Sequence, residues 1–231
     1  MLQKTPEGYE GILLVDKPAG KTSFSLVAML RRHLKVKKIG HAGTLDPFAT
    51  GVMVMLIGRA YTKLSDSLLC QDKEYIAKVR LGLATDTFDC DGVVQKSSDY
   101  IPSKEQIDTV LAQFQGEIEQ IPPMYSAKKL QGKKLYELAR KGVEVERKPV
   151  KISVNIVNLG YCYPELELHV TCSKGTYIRS LAHDIGEALG CGGHLISLQR
   201  VRSGDFRLEN CVDGAGLYGT EWDPLAYVTP Q

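Results

Sequence analysis

Leu166-Glu-Leu-His-Val-Thr-Cys172-Ser-Lys-Gly-Thr176-Tyr-Ile-Arg-Ser-Leu-Ala-His-Asp-Ile-Gly-Glu-Ala-Leu189 contains both periods of regular structure in one run. Leu166, Leu168, Val170 and Cys172 alternate with polar residues, as in a strand with one buried face, and His169 falls on the polar face. Beyond Lys174-Gly175 the spacing changes. Ile178, Leu181, Ala182, Ile185, Ala188 and Leu189 share one helical face, and Gly190 ends the helix. The stretch predicts a strand, a tight turn and a helix.

The same patterns extend in both directions. Tyr75, Ala77, Val79 and Leu81 alternate, with Lys78 and Arg80 opposite, and so do Ile152, Val154 and Ile156. Residues 11–15, 52–57 and 194–202 are further strands. Thr22 or Ser23 can cap a helix to residue 34, with Leu26, Val27, Leu30 and Leu34 inward. Helices are also predicted over 60–69, 103–114 and 135–141. Strands outnumber helices and do not alternate regularly with them. The expected fold class is α+β, with a mixed, largely antiparallel central sheet flanked by helices.

A chain of 231 residues, 43% hydrophobic and 24% charged, suits a folded soluble protein. Its apolar runs are too short to span a membrane. Residues 1–10 lack a signal-peptide core. None of the six cysteines forms a C-x-x-C pair or sits at a zinc-ligand spacing, which fits reduced thiols and a cytoplasmic location. Net charge is +2, yet residues 31–38 carry +5 and residues 122–151 carry +6, leaving −9 elsewhere. Such segregation points to a polyanionic partner contacted by two segments.

Four segments invite a chemical reading. Ala19-Gly-Lys-Thr22 has the ending of a phosphate-binding loop, but Val15 stands where its first glycine belongs and Pro18 offers no N–H. Asp86, Asp89 and Asp91 before Gly92 suggest a calcium loop, yet the register starts at Thr87 and ends at Ser98, so a solvated turn is expected. Gly40-His-Ala-Gly-Thr-Leu-Asp-Pro-Phe-Ala-Thr-Gly51 presents Asp46 on a loop stiffened by Pro47, which suits a nucleophile or a base, although an ordinary Asp-Pro turn is the commoner outcome of such a pattern. Arg179 lies in the first turn of a helix, where a cation opposes the helix dipole by roughly 0.3–1 kcal/mol unless an acid pairs with it.

In order along the chain, residues 11–23, 40–51, 73–75 with 81–92, 121–128 with 132–136, 172–180 and 198–202 resemble the TruB family of tRNA pseudouridine-55 synthases. The resemblance implies cleavage of the N1–C1′ bond of a uridine, rotation of the uracil and rejoining through C5, without metal or cofactor. By matching position it makes Asp46 the catalytic aspartate, acting on the sugar as nucleophile or base. Tyr75 becomes the tyrosine stacked on the base, and Arg179 the arginine paired with Asp46. His41 enters the RNA loop as the base is flipped out. Tyr177 and Leu198 line the pocket, and Lys17 joins the substrate-binding set. The implied partner is the T stem-loop of tRNA, bound by a monomer. Residues 122–151 correspond to an insertion that closes over the RNA. The catalytic domain is expected over 1–212, with 213–231 a short tail in place of the RNA-binding PUA domain of many relatives. Gln199 departs from the arginine usual in the family. Two alternatives share the fold: a non-catalytic RNA-binding module and a guide-RNA-dependent synthase.

Overall fold

A computed structural model describes residues 2–6, 8–126, 128–130, 132–219, 222, 223 and 226. Its elements run β1 (Leu2–Thr5), β2 (Gly8–Lys17), α1 (Ser23–Leu34), β3 (Ile39–His41), β4 (Thr50–Ile57), α2 (Arg59–Thr62), α3 (Ser65–Leu69), β5 (Lys73–Leu81), β6 (Leu83–Thr85), β7 (Val94–Ser97), α4 (Lys104–Gln113), β8 (Gly116–Gln120), β9 (Lys129–Leu130), β10 (Lys133–Lys134), α5 (Leu135–Ala139), β11 (Val150–Cys162), β12 (Glu165–Cys172), α6 (Ile178–Ala188), β13 (Gly193–Ser203), β14 (Phe206–Arg207) and β15 (Val212–Asp213). The chain divides into two compact units, Met1–Tyr75 with Leu198–Gln231, and Ile76–Ser197.

In the first unit the strands lie in the order β1-β2-β4-β13, with β3 on β4, β14 on β13 and β15 on β2. β4 is buried along almost its whole length, as its unbroken apolar run requires. Ala42, Val52, Val54 and Leu56 form a core cluster against which Ile12, Leu14, Phe206 and Leu208 pack. The antiparallel register of β2 on β4 ends at Lys17↔Gly51, and the parallel register of β13 on β4 sets Arg200 opposite Gly51. Lys17 and Arg200 therefore flank the end of β4 where the Asp46 loop enters it. α1 starts at the expected cap, where the Thr22 hydroxyl accepts the Ser25 N–H at 3.0 Å, and buries Leu26, Val27, Leu30 and Leu34.

The helix expected over 60–69 is two short helices instead, because Leu64 N–H turns back three residues to Tyr61 O. The tail expected from 213 is partly structured. Val212 and Asp213 extend the sheet along β2. Leu217 is buried, and the Tyr218 hydroxyl lies 2.7 Å from Ser25 Oγ.

In the second unit the order is β5-β12-β11-β8. β11 pairs antiparallel with β12 from Val154↔Cys172 to Cys162↔Glu165, and with β8 on its other side. Ile152, Val154, Ile156, Leu166, Leu168 and Val170 are buried, as the alternation predicts. α4 packs against β11 and α6, and α6 buries Ile178, Leu181, Ala182 and Ile185. The mixed, mostly antiparallel α+β architecture agrees with the sequence. β8 was not visible there, since Gly-Glu-Ile-Glu-Gln has one apolar residue in five. All six cysteines are free. Among the described residues no helix is long and apolar enough to cross a membrane.

Candidate active site

Asp46 lies in the loop between β3 and β4, and its neighbours are anchored on both sides. On one side, Ser23 Oγ donates to Leu45 O at 3.1 Å and accepts from Leu45 N at 3.0 Å. On the other, Pro47 O accepts Lys17 Nζ at 3.0 Å and Gly20 N–H at 2.9 Å. Lys17 is 0% exposed, and its ammonium also donates to Pro18 O and Lys21 O at 2.9 and 2.6 Å. Burial pushes this ammonium down to about 8, against the attraction of Asp46; Arg200 lowers it further and Asp16 raises it. The sequence suggested that Lys17 meets substrate. Its three donors go to the loop backbone.

A residue that the sequence did not single out completes the frame. Arg200 is 1% exposed; its Nε donates to Val52 O at 2.8 Å and its Nη2 to Gly43 O at 3.2 Å. It ties the start of the loop to β4. Gly51 has φ of 103°, and a Cβ there would come within 2.2 Å of Arg200 O, so only glycine fits where β4 passes β13. The signal was the run Leu198–Arg202, where Arg200 falls two residues after Leu198 and so on the same strand face, but that spacing does not tell a buried arginine from a solvated one.

His41 ends β3 half-buried. Burial, then the Arg200 charge, hold its imidazole below the usual range, and its Nδ1 is buried without a hydrogen-bond partner. Tyr75 and Leu198 are buried, and Leu198 O accepts the Thr50 hydroxyl at 3.5 Å. From Lys17 to Ser65 the chain has nine lysines and arginines and a single carboxylate, Asp46.

The second unit carries a buried ion pair. Arg179 and Asp89 are each 4% exposed, with Arg179 Nη1 3.2 Å from Asp89 Oδ2. The guanidinium also donates to Thr87 O at 3.0 Å and Tyr125 O at 2.8 Å. Asp89 Oδ1 accepts the Thr87 hydroxyl at 2.6 Å and Asp91 N–H at 3.1 Å. The turn holding Asp89 was expected to be solvated. Asp86 and Asp91 are exposed, but Asp89 turns inward because it has a cation and two further donors to meet. The misplaced cation at a helix start was the available clue that an acid was needed. Beside it, the Gln120 carboxamide spans the Tyr177 backbone, accepting its N–H at 2.8 Å and donating to its carbonyl at 3.1 Å. That clasp fixes the start of α6 and with it Arg179.

Residues 31–178 match the family described as TruB family pseudouridylate synthase (N terminal domain), and residues 179–222 match the tRNA pseudouridylate synthase B C-terminal domain. The chain belongs to the TruB family. TruB proteins are pseudouridylate synthases, and the chain is accordingly an isomerase. The tRNA pseudouridine synthase B of Protochlamydia amoebophila (strain UWE25) is 63% identical over 217 residues, covering 94% of this chain and 83% of that protein. The protein of the same name from Clostridium kluyveri is 50% identical over 226 residues, covering 96% and 76%. Among solved structures, a chain of a Cbf5-Nop10-Gar1 complex superposes with a TM-score of 0.69 at 32% identity, covering 88% of this chain and 52% of its own. A chain of an H/ACA RNP bound to a substrate RNA containing 2′-deoxyuridine gives 0.65 at 30% identity, covering 88% and 50%. This TruB chain thus spans about half the length of those two solved chains.

Proposed function

We propose that the protein converts uridine-55 in the T arm of tRNA to pseudouridine, as a monomer without cofactor. The observation that carries the proposal is Asp46, the lone carboxylate in a long cationic stretch, on a loop anchored at Leu45 by Ser23 and at Pro47 by Lys17. Such anchoring suits a group that must be pre-positioned for reaction. The names of relatives 50–63% identical support tRNA as the substrate.

The reaction balances without an external reagent. The N1–C1′ bond breaks, the uracil turns, a C5–C1′ bond forms, the C5 proton leaves and N1 regains one. Asp46 acts on the ribose, as nucleophile at C1′ or as base, and a trapped covalent adduct separates the two roles. The family resemblance makes Arg179 the arginine that serves the catalytic aspartate, and Asp89 orients Arg179. Tyr75 stacks on the flipped base, Tyr177 and Leu198 wall the pocket, and His41 occupies the space the base vacates. Base extrusion costs a few kcal/mol, which the cationic segments at 31–38 and 122–151 offset by holding phosphates.

The test is purified protein with unmodified tRNA transcript, with and without chelator, and with no guide RNA or other protein. Pseudouridine at position 55 under both conditions is expected. Product only with a guide RNA identifies the guide-dependent alternative, and no product at all contradicts the proposal.

A further inference from the structure

α1 has a chemically biased outer face. Phe24, Ala28 and Arg31 follow one another at spacings of four and three residues, which puts them on one stripe about 10 Å long, and Lys35 follows as the C-cap of the helix, with φ of 55°. All four are exposed, and Arg32 is exposed beside them. Phe24 is 66% exposed, the second largest exposure among the large hydrophobics. The helix has no acidic residue. Cations in its last turn complement the helix dipole by roughly 0.3–1 kcal/mol each. That accounts for Arg31 and Arg32, and Arg31 Nη2 also donates to Ile39 O at 3.3 Å; Lys21, exposed just before the helix, lies 4.6 Å over the Tyr218 ring. Phe24 has no such account.

The stripe is joined to the Asp46 loop at one end. Ser23, immediately before Phe24, makes both bonds to Leu45, and Lys21 O accepts Lys17 Nζ. At the other end the band continues. Lys38 O accepts Gly58 N–H at 2.9 Å, bringing α2 alongside, and Arg59 and Lys63 are exposed there. A surface with cations along its length and one bare aromatic ring at the catalytic end fits a nucleic acid strand, since phosphates take the cations and a base takes the ring.

We propose that the outer face of α1 is an RNA-docking track, in which Phe24 stacks on an unpaired nucleobase near the target uridine and Lys21, Arg31, Arg32 and Lys35 hold the phosphates leading away from it. This rests on the RNA-substrate proposal above and names the surface that places the RNA. Phe24 contributes affinity by stacking and the cations by neutralising phosphates, so the two respond differently to salt.

The test titrates fluorescent stem-loop RNA and full tRNA transcript with wild type, Phe24→Ala, Phe24→Trp and the triple variant Arg31→Ala, Arg32→Ala, Lys35→Ala, over a series of KCl concentrations. All the altered side chains are exposed, and a cooperative thermal transition well above the assay temperature establishes that each variant folds, with the triple variant's midpoint lower by the lost helix-end cations. Loss of one stacked base corresponds to about 5- to 100-fold weaker binding for Phe24→Ala, at an unchanged salt slope, with Phe24→Trp close to wild type. The triple variant should flatten the slope of log affinity against log salt by about 2 to 3. Wild-type affinity and slope in both variants overturn the proposal. So does a change in self-association with RNA affinity intact, which makes the face a protein contact. Binding is read independently of turnover, so failure of the track and failure of the pseudouridine assignment are separate results.

Discussion

Replacing Asp89 by Asn tests the buried ion pair with little change in shape. The carboxylate now serves three donors: Arg179 Nη1 on one oxygen, Thr87 Oγ1 and Asp91 N–H on the other. Asn has one accepting oxygen. If that oxygen keeps Thr87 and Asp91, its NH2 faces the guanidinium, donor against donor. If it turns toward Arg179, two donors lose their acceptor. Either way the charge of Arg179 loses its Asp89 counterion in a site with almost no solvent exposure. Removing one partner of a buried pair costs about 3–5 kcal/mol. Arg179 keeps its bonds to the carbonyls of Thr87 and Tyr125, which favours the lower end, about 3 kcal/mol. For a chain of this length that is about 6–12 °C in Tm. If half of it is felt in the transition state, kcat/KM falls about tenfold. Thermal denaturation reads the first quantity, and tritium release from RNA carrying 5-tritiated uridine reads the second. A Tm within about 1 °C of wild type together with a rate within twofold refutes the assignment of Asp89 as the support of Arg179.

Other consequences follow from the same contacts. Ser23→Ala leaves Leu45 N and O without their side-chain partner, at a cost of about 1–3 kcal/mol; the single-turnover rate should fall while RNA affinity holds, and the reverse pattern counts against the loop-anchoring role. Lys17 titrates at about 8 when folded, below its ordinary 10.5. The unfolded chain therefore holds the extra proton between those values, and stability contributed by this group rises with pH across that window. Lys17→Met should abolish that rise, so the Tm difference between variant and wild type must change between pH 7 and 10. Burial, then Glu187, push Asp184 up to about 6 from 3.8. The folded chain holds that proton more tightly, so stability is lost as pH rises from about 4 to 6 and stays lost at neutrality. Asp184→Asn should stabilise by on the order of 1–2 kcal/mol at pH 7, after allowance for partial exposure, and by nothing near pH 4.

Much of the scaffold was legible because it follows periodicity. The strands around Tyr75–Leu81 and Leu166–Cys172, and the helices beginning at Ser23 and Ile178, bury the faces their spacing indicated. The break at Leu64 was not legible, since it depends on one backbone bond inside an apolar run. The loop bearing Asp46 could be picked out by its glycines and Pro47. What holds the loop could not: Lys17 and Arg200 look like surface cations until the register of β2 and β13 on β4 sets them inside. Asp89 was hidden for the same reason. Three aspartates close together read as a solvated turn, and only the fold reveals that the middle one meets Arg179.

The central claim is that Asp46 carries the chemistry. The most direct measurement compares wild type with Asp46→Asn in single-turnover conversion of an unmodified tRNA transcript, with RNA affinity measured in parallel. The expected result is full conversion of one uridine by wild type and no detectable pseudouridine from the variant, at RNA affinity within a few-fold. Pseudouridine formed by Asp46→Asn at the wild-type rate contradicts it.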